Sequence, residues 1–193
     1  MDHITLFKTV QEYKDAKDNL LVPNVSYIED TDTVEYMNKH IIDFGTDTTA
    51  KSMCITRWDT DGDGEISFDE AKAVTSVGTI FKNAAIVDGM FLRYFKGLTS
   101  LQSECFRYAA SLTKLAIPKN ITTIGSNWTT NATALKELYF YWTTIPSYNN
   151  LASGLISSSI TKIYIPKGTK ALYSAHARFS SVSSKLEELE VMP

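Results

Sequence analysis

Leu112-Thr-Lys-Leu-Ala-Ile-Pro118 returns as Leu135-Lys-Glu-Leu-Tyr-Phe140, Ile160-Thr-Lys-Ile-Tyr-Ile-Pro166 and Leu186-Glu-Glu-Leu-Glu-Val191, with starts separated by 23, 25 and 26 residues. The shared unit is apolar-x-x-apolar-x-apolar. Its last two apolar positions lie two apart and so fall on one face of a strand. A strand this short cannot bury that face alone; the next copy must stack beside it. Leu98-Thr-Ser-Leu101 reads as a weaker, earlier copy. Repeats of about 20–29 residues that each contribute one strand build a leucine-rich solenoid with a parallel sheet. The expected class is α+β.

Aligning the copies by their first apolar residue predicts two outward columns. Lys114, Glu137, Lys162 and Glu188 form one, and Ala116, Tyr139, Tyr164 and Glu190 the next. Neighbouring strands are about 4.8 Å apart, so the first column is a ladder of alternating charge that helps to set register. The second places two tyrosines side by side. With Tyr141 and Trp142 nearby, Tyr139 and Tyr164 form a candidate ligand face, since aromatic rings with polar tips suit sugar or protein recognition. Exposed tyrosines are also good strand formers.

Upstream of the repeats, Asp59-Thr-Asp-Gly-Asp-Gly-Glu-Ile-Ser-Phe-Asp-Glu70 fits the twelve-residue EF-hand calcium loop. Asp59, Asp61 and Asp63 occupy loop positions 1, 3 and 5. Glu65 at position 7 offers its backbone carbonyl, Ser67 at position 9 binds directly or through water, and Glu70 at position 12 supplies a bidentate carboxylate. Gly64 permits the sharp bend and Ile66 turns an apolar side chain inward. Six of the 22 acidic residues crowd into these twelve positions and repel one another without a cation. Hard oxygen donors on a flexible loop favour Ca²⁺ over Mg²⁺. The flanks read as helices. Ala50, Met53, Cys54 and Trp58 share a stripe capped by Asp47 or Thr46, and Phe68, Ala71, Val74 and Val77 share another that Gly78 ends. Sensor EF-hands and dockerins carry paired loops; a lone loop is expected to be a structural staple, its helices capping the first repeat.

The first 45 residues read as a separate helix–hairpin module. Thr9-Val-Gln-Glu12 has capping-box form, Phe7, Tyr13, Ala16 and Leu20 share a helical face, and Pro23 ends it. Val25-Ser-Tyr-Ile-Glu29 and Thr33-Val-Glu-Tyr-Met37, divided by Asp30-Thr-Asp32, predict a hairpin. The expected organisation is 1–45 helix and hairpin, 46–78 calcium-binding helix-loop-helix, and 79–193 repeats.

Composition narrows the function. The 193 residues are 44% apolar and 21% charged, as in ordinary globular domains. The apolar runs are too short to cross a membrane, and no signal peptide is recognisable in this chain, although one could have been removed. A net charge of −3 gives no field for nucleic acid. Cys54 and Cys105 make neither a disulfide framework nor a metal pair, and His3, His40 and His176 are too scattered for catalysis or zinc.

The run Cys54-Ile-Thr-Arg-Trp-Asp-Thr-Asp-Gly-Asp-Gly-Glu-Ile-Ser-Phe-Asp-Glu-Ala-Lys-Ala-Val74, then Ile80-Phe81, Tyr94-Phe-Lys-Gly-Leu-Thr-Ser100 and the Leu-Thr-x-Leu-x-Ile-Pro copies, resembles the BspA-like leucine-rich repeat proteins of anaerobic bacteria. The likeness covers roughly residues 48–193. It implies an extracellular or cell-surface binding or adhesion protein in which a calcium loop precedes the repeats. Ser126-Asn-Trp128 departs from that pattern, which puts regular geometry there in question. The expected function is therefore non-enzymatic binding of a protein or glycan, by a monomer, because Glu187, Glu188 and Glu190 place like charges on the last strand. A virion or appendage component displaying a host-recognition solenoid is the alternative, and a carbohydrate-active enzyme the third reading.

Overall fold

The computed structural model describes residues 41–152 and 155–193, and the backbone of residues 5–7, 25–30 and 33–38. The chain divides into two units, Met1–Ile41 and Ile42–Pro193. The first holds an antiparallel sheet of β1 (Thr5–Phe7), β2 (Val25–Asp30) and β3 (Thr33–Asn38), in the order β1-β3-β2. Strands β2 and β3 form the expected hairpin, in register from Asp30–Thr33 to Val25–Asn38. Phe7, however, belongs to β1 and pairs with Val34 rather than joining a helix. The rest of the expected helix lies outside the described residues.

The second unit is α+β, built on a parallel sheet of five strands. Its order is β10-β9-β8-β6-β4: β10 (Leu186–Leu189), β9 (Lys162–Pro166), β8 (Glu137–Phe140), β6 (Lys114–Ile117) and β4 (Asp88–Gly89). Three of the four sequence copies fall into the predicted register, with Lys114 beside Glu137 and Glu137 beside Lys162. Their inward residues, such as Leu115, Leu138, Ile163, Ile117, Phe140 and Ile165, are fully buried. Alternation of apolar-in and polar-out positions thus becomes one continuous core through layer-on-layer stacking.

Two strands depart from the expectation. Leu98–Leu101 does not precede Leu112 in this sheet; Asp88–Gly89 does, pairing with Lys114–Leu115. Ser100–Leu101 forms β5, which pairs in parallel with β7 (Thr123–Ile124) in a second, two-stranded ladder that Leu151 extends by a bridge to Ile124. The last copy is shifted by three residues. Leu186 pairs with Ile163 and Glu187 with Tyr164, so Glu187 takes the place expected for Glu190 in the tyrosine column, and Glu188, beside Ile165, leaves the charge column. Glu187 and Glu188 of β10 and Glu190 just after it are also not a bare cluster of like charge. Glu187 pairs with Lys162 at 2.8 Å, Glu190 with Lys167, and Glu188 accepts from the Lys170 backbone N–H at 2.7 Å. Repulsion along this edge therefore does not argue for a monomer.

Between the two ladders, turns with left-handed backbone at Glu104, Tyr108, Asn127 and Asn131 stack on one another. The N–H groups of Glu104, Phe106 and Tyr108 donate to the carbonyls of Ser126, Trp128 and Thr130. The Ser126-Asn-Trp128 departure is therefore accommodated in regular layers, with Trp128 buried and its indole N–H donating to Leu155 O at 3.0 Å.

Residues 42–78 share this core. Helix α1 (Thr48–Trp58) is capped by Asp47, whose Oδ1 accepts from Ala50 N at 2.8 Å. Helix α2 (Phe68–Ala73) is shorter than its stripe implied, ending at Val74 well before Gly78, which instead occupies a turn. The reason is local crowding. A Cβ on Gly97 would lie 2.1 Å from Lys72 O and 2.9 Å from Val74 O, so the repeat backbone runs against the end of α2. Trp58 meets Phe95 edge-on at 5.3 Å between centroids, and Phe44 meets Phe91 at 5.1 Å. A third helix, α3 (Lys170–Ala175), covers the far end with buried Tyr173, whose hydroxyl donates to Trp142 O at 3.0 Å.

Asp47 joins α1 to the first strand of the sheet, because its Oδ2 also accepts from the backbone N–H of Val87 and of Asp88 at 2.9 Å. Asp47→Ala removes a cap and leaves two strand-end donors without their acceptor. Thermal or denaturant unfolding is expected to show a loss of about 2–4 kcal/mol; a loss under about 0.5 kcal/mol, the usual scale of an inert surface change, would contradict this role.

Candidate metal centre

The loop between α1 and α2 begins at the C-terminal end of α1 and closes at the first turn of α2, so two helix ends fix its span. Among the described residues, Asp59, Asp61 and Asp63 bring one carboxylate oxygen each to within 4.8 Å of one another. Backbone donors prepare this convergence. Asp59 accepts from Gly62 N at 2.7 Å and Gly64 N at 2.9 Å, and Asp63 accepts from Glu65 N at 2.9 Å. Both donations from glycine need backbone with positive φ, +75° at Gly62 and +79° at Gly64, which side-chain-bearing residues rarely adopt. Three anions held this close repel unless a cation lies between them, so the group could hold a metal ion.

The inner side of the loop is anchored. Ile66 is fully buried and its carbonyl accepts from Ile42 N at 2.9 Å. The segment that enters the core at Ile42 thus gives this single loop a backbone partner.

The structure separates the remaining sequence-derived ligands from the aspartate trio. Glu65 turns its side chain to Lys51, leaving its backbone carbonyl as the donor expected at that position. Ser67 caps α2, accepting from Glu70 N at 3.2 Å, and Glu70 reciprocates by accepting from Ser67 N at 2.8 Å. The other Glu70 oxygen accepts from Thr60 N at 2.7 Å and Thr60 Oγ1 at 2.8 Å, while Ser67 Oγ also donates to Oε2 at 2.9 Å. All four lone-pair sites of Glu70 are therefore engaged, and a cation that takes this carboxylate must displace hydroxyl donors. Thr60 and the overlap of loop positions 9 and 12 with a capping box were missed in the sequence. The pattern Ser67-x-x-Glu70 was the available signal.

Burial would raise the Glu70 pKa, but the four hydrogen bonds from Ser67 and Thr60 outweigh it and hold the carboxyl at about 2. The cysteines behave oppositely. Desolvation raises both thiols, Cys105 to about 12, and Asp47 adds to the rise at Cys54.

On the sheet face, Tyr139 and Tyr164 stack at 4.5 Å between centroids and 25° between planes, both half-buried. Tyr139 donates to Glu137 Oε2 at 2.8 Å, and Lys162 Nζ lies 5.6 Å from the Tyr164 ring centroid. Tyr141 is half-buried on the same face. Trp142 is not part of this surface: it is 1% exposed, packed on Phe140 and Phe179. Strand alternation sends it inward, since it follows Tyr141. Comparison of the chain with family models, with curated proteins and with solved structures finds no match.

A carboxyl whose folded pKa lies below the ordinary 4.5 contributes stability above that range and loses it as pH falls through about 2. In chelator, the melting temperature of the native chain should therefore fall from about pH 5 to about pH 2 more steeply than that of Glu70→Gln. Parallel curves for the two proteins would contradict the hydrogen-bonded state of Glu70.

Proposed function

We propose that this chain is a non-enzymatic, calcium-binding leucine-rich repeat module of the BspA-like kind, acting at a cell surface or outside the cell to bind a protein or glycan. The convergence of Asp59, Asp61 and Asp63 at positions 1, 3 and 5 of an EF-hand-type loop carries the reading. The donor set fits Ca²⁺. Three carboxylates, the Glu65 carbonyl, Ser67 and the nearby Glu70 offer oxygen in a loop flexible enough for a coordination number of 6–8. Bound calcium would supply the positive charge that this acidic loop lacks.

The reading of the repeats as a solenoid is supported by the parallel register of β4, β6, β8 and β9 and by the second ladder across the core. In that reading the helix-loop-helix is an end cap, and calcium acts as a staple. Trp58, Phe44 and Gly97 already seat the cap on the first layer through contacts that need no groove to open. The stacked pair Tyr139–Tyr164 is the part of the sheet face best suited to a ligand.

Calcium titration by calorimetry should give one site. Free calcium at about 100 times Kd should stabilise the fold by about 2.7 kcal/mol, chelation should lower the melting temperature, and Glu70→Ala should shrink that difference. Identical melts with calcium and with chelator would contradict the proposal.

A further inference from the structure

The stacked pair Tyr139–Tyr164 begins a longer row of rings. Tyr141 lies two residues beyond Tyr139 and so on the same face of the sheet, its N–H still donating to Ile117 O at 3.0 Å. Tyr141 in turn lines the cleft beside α2 together with Tyr94 and Phe68, which stack at 5.2 Å between centroids and 24° between planes. Tyr164, Tyr139, Tyr141, Tyr94 and Phe68 therefore lead from β9 across β8 to the first turn of α2. None of the five is fully buried, and Phe68 is 37% exposed. The row is also held in place. Tyr139 donates to Glu137 Oε2 at 2.8 Å and Tyr141 to Pro193 O, while the Tyr94 hydroxyl accepts from Arg93 Nη2 at 2.8 Å. Rings fixed before a ligand arrives lose little freedom on binding it.

Charges along this row are balanced. Lys114 pairs with Asp88 at 2.9 Å, Lys162 with Glu187 at 2.8 Å, and Arg93 faces Asp43 at 3.8 Å. Glu137 stands in register between Lys114 and Lys162, and in the cleft Lys72 and Lys96 are accompanied by Asp69 and Pro193. Such a surface has no field to draw in a charged ligand. Nor does it offer main-chain bonds to a peptide, because β6, β8 and β9 each have a neighbour on both sides and strand addition needs a free edge. It offers ring surface bordered by phenol hydroxyls, Glu137 and Lys162. That matches a sugar, whose ring has an apolar face and a hydroxyl rim.

From this juxtaposition we infer that the row Tyr164, Tyr139, Tyr141, Tyr94 and Phe68 is an extended binding site for an uncharged saccharide chain, with successive sugar rings against the aromatic side chains and their hydroxyls at Glu137, Lys162 and the tyrosine tips. The inference rests on the reading of the chain as a ligand-binding module, selects glycan over protein within it, and does not require the loop to bind calcium. A row of rings has a signature that a single pocket lacks: affinity grows with the number of sugars and is indifferent to salt.

The test is calorimetric titration of the full chain with the β-1,4-linked hexaoses of glucose, mannose and xylose and with their disaccharides, each followed by a calcium titration of the same sample. At least one hexaose should bind, about tenfold or more tighter than its own disaccharide, with an affinity that changes less than about twofold between about 0.05 and 0.5 M salt. The same hexaose should perturb the tyrosine absorption of the native chain, a readout that needs no variant. Tyr164→Leu and Tyr94→Leu, on different parts of the row, should each lose several-fold in hexaose affinity while keeping the calcium isotherm. Binding of none of the hexaoses, equal affinity for hexaose and disaccharide, a steep salt dependence, or unchanged affinity in both variants would overturn the assignment; with the calcium isotherm intact, that failure leaves the calcium-binding reading standing. Saccharide binding with no calcium isotherm would uphold the assignment and overturn the loop reading alone.

Discussion

The carboxylate of Asp47, 6% exposed, accepts from Ala50 N on one side and from Val87 N and Asp88 N on the other. One side chain thereby starts α1 and holds the first strand of the parallel sheet. The arrangement matters because neither part holds itself. Helices of 11 and 6 residues are marginal without tertiary contacts, and a two-residue strand at the rim of a stack leaves its apolar side uncovered. Phe44, Trp58 and the close pass of Gly97 against the end of α2 complete the cover. The geometry of the acidic loop follows from where these two helices are seated.

Within the stack, order along the sheet comes from two kinds of column. The buried one, through Leu115, Leu138, Ile163 and Leu186, supplies the apolar burial that drives layering. The exposed one runs Asp88, Lys114, Glu137, Lys162, with Asp88–Lys114 paired at 2.9 Å and Lys162 turning to Glu187 at 2.8 Å. Exposed pairs of this kind stabilise weakly. Their value is in register, since a slip would set like charges side by side.

The strand copies at Leu112, Leu135 and Ile160 were legible because identical spacing of apolar residues is what lateral stacking requires. Asp88–Gly89 was not, because glycine replaces the apolar residue that marks the unit. A Cβ there would fall 2.5 Å from Leu115 Cδ1, so the neighbouring leucine already fills the space. The acid at Asp88, matching the alternation with Lys114, was the remaining sign. In the last copy the spacing fits two registers three residues apart, both of which bring an acid near Lys162, and pattern alone chose the wrong one; in the structure Leu186 pairs with Ile163, and Lys162 reaches Glu187. The loop aspartates were legible because cation chemistry fixes residue type at fixed offsets. The four hydrogen bonds to Glu70 were less so, since a template of ligands says nothing about what those ligands do otherwise. Trp142 was misplaced for a simpler reason: composition suggested an aromatic patch where strand alternation turns that ring into the core.

The central claim is that the acidic loop and the first layers of the sheet are one mechanical unit, coupled through α1, α2 and Asp47. Hydrogen exchange followed residue by residue, with calcium and with chelator, tests it most directly. The account predicts that calcium raises protection within the loop and also at Val87, Asp88 and the β6 amides, while β9 and β10 change little. A gain confined to Asp59–Glu70, with the strand amides exchanging at the same rates in both conditions, would contradict it.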